Sequence, residues 1–152
     1  MTRGNARELA VHLIYAREFT GEEPEMVIAT RLEKEYYNNL SDENPVYEDR
    51  PSHVQRAYID RVVTGVANRI EELNEIIVKY SIDWDISRIS KLTRAIMQLA
   101  LFEIQYVEDV PTGVAISEAV RIVKLYDGNE AGAFVNGILG SFARELNSEV
   151  EV

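Results

Sequence analysis

The stretch Phe134-Val-Asn-Gly-Ile-Leu-Gly-Ser-Phe-Ala-Arg-Glu-Leu146 decides the fold class. Its apolar residues fall at Phe134, Val135, Ile138, Leu139, Phe142, Ala143 and Leu146, the three-and-four spacing of one helical stripe. Upstream, Ile116, Ala119, Val120, Val123 and Tyr126 make a second stripe, opened by Pro111 and closed by Asp127-Gly128. A third runs through Leu92, Ala95, Ile96, Leu99, Phe102 and Tyr106. Short connections join these segments, so their apolar faces must be hidden against one another, and the spacing predicts a helical bundle.

The same reading extends toward the amino terminus. Asn5 followed by Glu8 has the layout of a capping box with Asn in the capping place. Ala6, Leu9, Ala10, Leu13, Ile14 and Phe19 then form the apolar face of a first helix ending near Thr20-Gly21. Glu22-Glu-Pro-Glu25 starts a second helix, with Met26, Ala29, Leu32, Tyr36 and Leu40 along its face. Residues Ser41–Pro51 are polar, contain Pro45 and Pro51 and show no period, which predicts an exposed acidic loop.

Ser52 is placed to cap a long helix carrying Val54, Tyr58, Val62, Val66, Ile70, Leu73, Ile77 and Tyr80. Gly65 within it costs about 1 kcal/mol against Ala, so a bend or a close helix contact is expected there. Ile82–Ile89 reads as a short linker, with Trp84 as a core plug between two halves. The expected architecture is all-α: three helices before Ser81 and three or four after it. They would form two antiparallel bundles packed side by side, as subdomains 1–81 and 82–152 of one domain.

A chain of 152 residues can bury enough apolar surface to stand without disulfide or metal support. It has no cysteine, which fits a reducing compartment and excludes thiol chemistry. No apolar run approaches the roughly 20 residues of a membrane span. Arg3, Arg7 and Glu8 interrupt what would be a signal peptide, so a cytoplasmic protein is expected. The formal net charge is −10. Nucleic-acid binding draws most of its affinity from phosphate neutralisation. Any such binding here must come from a local patch, in a composite site with a partner.

Catalytic constellations are absent from the sequence. His12 and His53 are the only histidines and no cysteine accompanies them, which argues against zinc; His12 reads as a satisfied helix-surface residue. No glycine-rich loop ends in Lys-Ser/Thr ahead of a helix. Asp127-Gly-Asn-Glu130 reads as a helix-ending turn, since the further ligands of a calcium loop do not follow. Glu71 and Glu72 sit on a solvated helix face. The expectation is a binding protein without cofactor or metal.

The run Ala95-Ile-Met-Gln-Leu-Ala-Leu-Phe-Glu-Ile104, then Asp109-Val-Pro111, Ala115-Ile-Ser-Glu-Ala119 and Phe134-Val-Asn-Gly-Ile-Leu139, resembles the NusB family of transcription antitermination factors in order and spacing. Ala6-Arg-Glu-Leu-Ala-Val-His-Leu-Ile-Tyr15 is similar to that family's opening helix, and only Thr20 to Pro51 matches weakly. The resemblance implies a non-enzymatic factor that binds boxA RNA of nascent ribosomal RNA together with the ribosomal protein NusE. Through that complex it would act on the RNA polymerase elongation complex. It leaves monomer and homodimer both open, Tyr36-Tyr37 being read as exposed.

For RNA the resemblance points to Arg3 and Arg7, Lys124, Phe134 as a base-stacking ring, and Asn136; for the protein partner it points to Tyr15 and the start of the helix at Leu92. Ordinary roles compete with these: a helix start for the arginines, a core position for Phe134. The sequence also departs from the family pattern. The amino-terminal basic stretch has thinned to Arg3 and Arg7, and Gly113 and Gly132-Ala133 stand where basic or polar residues are common. Thr93 replaces a frequent carboxylate. Arg88, Lys91 and Arg94 form either a basic ridge or a solvated helix start. These departures favour an alternative, a protein-interaction module of the same fold with weakened direct RNA binding. Accessory domains of RNA methyltransferases are a third, remoter likeness.

Overall fold

A computed structural model describes residues 1–38, 40, 44–81 and 89–151. Among them the regular structure is helical throughout, with eight α-helices, one 3-10 turn and no strand, as the periodicity predicts. Of the expected linker Ile82–Ile89, residues 82–88, with Trp84 and Arg88, lie outside the described residues, as do 39 and 41–43. The chain divides into two compact units, Met1–Asn68 and Arg69–Val152.

In the first unit α1 (Arg3–Thr20) packs on α2 (Pro24–Arg31) and α4 (His53–Asn68), and α2 packs on α4. The cap of α1 is Thr2 rather than Asn5: its side chain accepts from the Asn5 amide at 3.0 Å. Helix α1 ends where expected, on Gly21 in the left-handed conformation, φ 67. Leu9, Ala10, Leu13 and Ile14 are buried as predicted, but Phe19 is 59% exposed. It follows Tyr15 by one turn and shares that flank rather than the core stripe.

The second predicted helix is in fact two. Helix α2 stops at Arg31, and the Glu33 carboxylate accepts from the Tyr36 amide at 2.9 Å to start α3 (Lys34–Asn38). On α2 and its C-cap the buried face is Val27, Ile28 and Leu32, with Met26 outside it, and the break resets the phase so that Tyr37 points inward and Tyr36 out. Tyr37, expected at the surface, is 0% exposed. Its hydroxyl donates to the carbonyls of Val46 at 3.2 Å and Asp49 at 2.6 Å.

Those bonds hold the 3-10 turn η1 (Pro45–Tyr47), which begins where Asn44 accepts from the Val46 amide at 3.0 Å. The described part of the predicted acidic loop is therefore anchored: Val46 is buried, and Glu48, Asp49 and Arg50 are exposed. Ser52 caps α4 as predicted, in a reciprocal pair with Gln55 at 3.3 and 2.8 Å. Val54, placed on the apolar stripe, is 72% exposed in the first turn.

The long helix expected from Ser52 to Tyr80 breaks at Arg69, φ −122 and ψ 21, not at Gly65. Helix α5 (Ile70–Tyr80) then packs with the second unit, against α6 and α8, and buries Leu73 and Ile77 there. The boundary accordingly falls between Asn68 and Arg69 instead of after Ser81. Arg69 stacks 4.0 Å over the Tyr106 ring and donates to its hydroxyl at 3.1 Å. Asn74 accepts from Gln98 at 2.8 Å. These polar contacts fix α5 on α6 and offered no periodic signal.

Helix α6 (Lys91–Tyr106) is the centre of the second unit, in contact with α5, α7 and α8. Ala95 through Glu103 are all buried, the signature of a helix covered on every side. Helices α7 (Thr112–Asp127) and α8 (Asn129–Glu151) form a hairpin against it, turned by Gly128 at φ 89. Val135, Ile138 and Leu139 on α8 and Ile122 and Val123 on α7 fill the space between. No helix among the described residues is long and apolar enough to cross a membrane.

Candidate nucleic-acid interface

Lys124 lies in the last turn of α7 and Gly132 one turn into α8. The aliphatic stem of Lys124 runs over the bare Cα of Gly132. A Cβ built there would lie 2.9 Å from both Cγ and Cε of the lysine and 3.5 Å from Cδ. The residue as a whole is exposed, so the stem is laid on the hairpin while the ammonium reaches water. Asn136 is one turn beyond Gly132 on the same stripe of α8 and is also exposed. Lys124 and Asn136 thus share the outer surface of the α7–α8 hairpin.

Phe134 does not join them. Its ring is 6% exposed and belongs with Val135, Ile138 and Leu139 in the core. The competing expectation for this residue, a place in the apolar stripe, is the one its burial matches; stacking on a base would require lifting it out.

The start of α6 is tied to the end of α7. Ser90 caps α6 by accepting from the Thr93 amide at 2.9 Å. It also donates to an Asp127 carboxylate oxygen at 2.5 Å, and the Thr93 hydroxyl donates to that same oxygen. A carboxylate at the positive end of α6 is favourable. Thr93 is buried, so its hydroxyl is part of an internal latch between the two helix ends. Asp127, read from the sequence only as part of a turn, is the residue that reasoning missed. Only the apposition of the two helix ends reveals it. Lys91 is exposed and Arg94 half-buried, both with partners of their own.

In the first unit Arg3 and Arg7, at i and i+4, both lie over the Tyr58 ring, at 4.4 and 5.8 Å from its centroid. Their surroundings differ. Arg3 is exposed, whereas Arg7 is 4% exposed and enclosed beside the buried Glu8. Arg17, farther along the helix, donates to the Glu22 carbonyl at 2.7 Å.

Tyr15 is half-exposed and meets the exposed ring of Phe19 edge-on at 4.9 Å, so α1 presents an aromatic pair to solvent. His12 is more enclosed than a surface histidine. Its Nδ1 lies 2.7 Å from the Tyr47 hydroxyl, and burial holds its pKa below 6.5 against an opposing, weaker pull from Glu8.

Residues 4–144 match the profile of the NusB family. The transcription antitermination protein NusB of Acetivibrio thermocellus is 40% identical over 144 residues, 95% of this chain and 90% of that protein. The protein of the same name from Symbiobacterium thermophilum is 34% identical, over 96% and 92% of the two chains. Among solved structures, NusB from T. maritima superposes with a TM-score of 0.76 at 25% identity, covering 95% of this chain and 92% of that one. A match over nearly the whole length, in sequence and in helical architecture, gives the conclusion that this chain belongs to the NusB family.

Proposed function

We propose that the protein is a non-enzymatic transcription antitermination factor that binds boxA-type RNA in nascent ribosomal RNA together with the ribosomal protein NusE. In this reading it works in the cytoplasm, the whole chain acts as one NusB-like domain, and it reaches the RNA polymerase elongation complex through that assembly. The observation that carries the RNA assignment is that Lys124 and Asn136 are both exposed on the α7–α8 hairpin, with the lysine stem laid over Gly132, which offers phosphate a local cation in a chain of net charge −10.

Lys124 and Arg3 make phosphate contacts and Asn136 supplies hydrogen bonds. Arg7 supports Arg3 from below through the shared Tyr58 ring, and Phe134 seats α8 from inside. Tyr15, joined by Phe19, provides the aromatic face for NusE.

The burial of Arg7 and Phe134 favours a second reading, in which the fold serves protein binding and direct RNA contact is weak. Fluorescence anisotropy separates the two. A labelled boxA-type RNA and a scrambled control are titrated with the protein, with and without NusE. Selective binding that tightens with NusE is expected, and Lys124→Ala or Arg3→Ala should each lower the salt slope by about 0.7. Equal affinity for both RNAs in the presence of NusE would overturn the antitermination reading in favour of the protein-binding one.

A further inference from the structure

Gly132 has no conformational reason to be glycine. The left-handed glycines of the described chain are Gly21 and Gly128 only, so Gly132 sits in ordinary helical backbone. Within a helix glycine is disfavoured against alanine. What the missing side chain does provide is room: the atoms that a Cβ would strike all belong to Lys124, with Cγ and Cε both at 2.9 Å. Real carbon atoms do not approach so closely, and because Cγ is near the root of the lysine chain the whole stem would have to leave its track.

We propose that Gly132 is a positioning residue of the RNA site: its bare Cα is the bed on which the Lys124 stem lies, holding the ammonium ready for a phosphate. The inference rests on the reading of Lys124 as a phosphate contact. Ordering a long, flexible side chain upon binding costs conformational entropy. A stem already laid on the first turns of α8 has lost much of that freedom beforehand, so less is lost on contact.

The test uses the full chain as wild type, Gly132→Ala, Lys124→Ala and the double variant. RNA binding is measured between low and moderate salt, together with the nuclear relaxation of the Lys124 Cε group and thermal unfolding as a control. Gly132→Ala is expected to raise the mobility of Lys124 Cε and to weaken binding about threefold at low salt, the size of one single-strand phosphate contact over that salt range. In the Lys124→Ala background the same change should have no effect, because the colliding stem is gone.

An equal loss in both backgrounds would overturn the proposal, showing that the added methyl group acts through the backbone. So would Gly132→Ala leaving the mobility of Lys124 and the RNA affinity at their wild-type values. Unchanged RNA affinity in Lys124→Ala alone would instead remove the phosphate role of Lys124, and the inference with it.

Discussion

Replacing Tyr37 by phenylalanine isolates one buried hydroxyl. The ring stays, with its edge-on contact to Tyr47 at 5.3 Å, so no cavity is opened. What is lost is a donor to two carbonyls, Val46 at 3.2 Å and Asp49 at 2.6 Å. Asp49 is exposed and its carbonyl can turn to water, but Val46 is buried and its carbonyl is stranded. A net hydrogen bond contributes about 1 kcal/mol and an unsatisfied buried acceptor costs about 1–3 kcal/mol, so the loss should be about 2 kcal/mol. With a urea m-value of about 2 kcal/mol/M, the unfolding midpoint should fall by roughly 1 M.

A second arm is specific to the hydroxyl. Burial, reinforced by Tyr47 and Asp49, pushes the Tyr37 pKa from 10.0 to about 12. A group whose folded pKa is raised contributes fully below its unfolded value and loses that contribution as pH rises through the folded one. The stability gap between wild type and Tyr37→Phe should therefore narrow between pH 10.0 and about 12, since phenylalanine has no proton to release. A midpoint shift well under half the expected size, or a gap that stays constant across that range, would refute the anchoring role given to Tyr37.

Acid should weaken the first unit through His12. Its folded pKa is depressed below 6.5, so the unfolded chain takes up the proton first and stability is lost as pH falls below 6.5. His12→Gln should flatten that part of a plot of melting temperature against pH, and an unchanged slope would shift the acid sensitivity to other groups. Phe134→Leu keeps an apolar filler at a core position and should cost less than about 1.5 kcal/mol of stability, with RNA affinity unaltered. A clear loss of RNA binding from a stably folded Phe134→Leu protein would instead put the ring on a base.

The sequence by itself determined the all-helical class, several helix ends and the family. Each of these rests on local chemistry: the three-and-four spacing of Phe134 to Leu146, proline at the start of α2, Ser52 with Gln55, and glycines past the ends of α1 and α7. The sequence did not say which of the candidate site residues would be exposed. Lys124 and Asn136 were named from the resemblance, but so were Arg7 and Phe134, whose side chains the fold encloses.

Spacing gives the face of a helix, and it cannot say which faces are covered. That depends on what the other helices bring against them. Tyr58 lies against Arg7, and the break at Glu33 turns Tyr37 inward and Tyr36 outward. A break at Arg69 hands α5 to the second unit. The Ser90–Thr93–Asp127 latch and the Lys124 stem on Gly132 join residues far apart in sequence through contacts that carry no period. Tertiary structure alone decided them, because they exist only once two helices have been laid side by side.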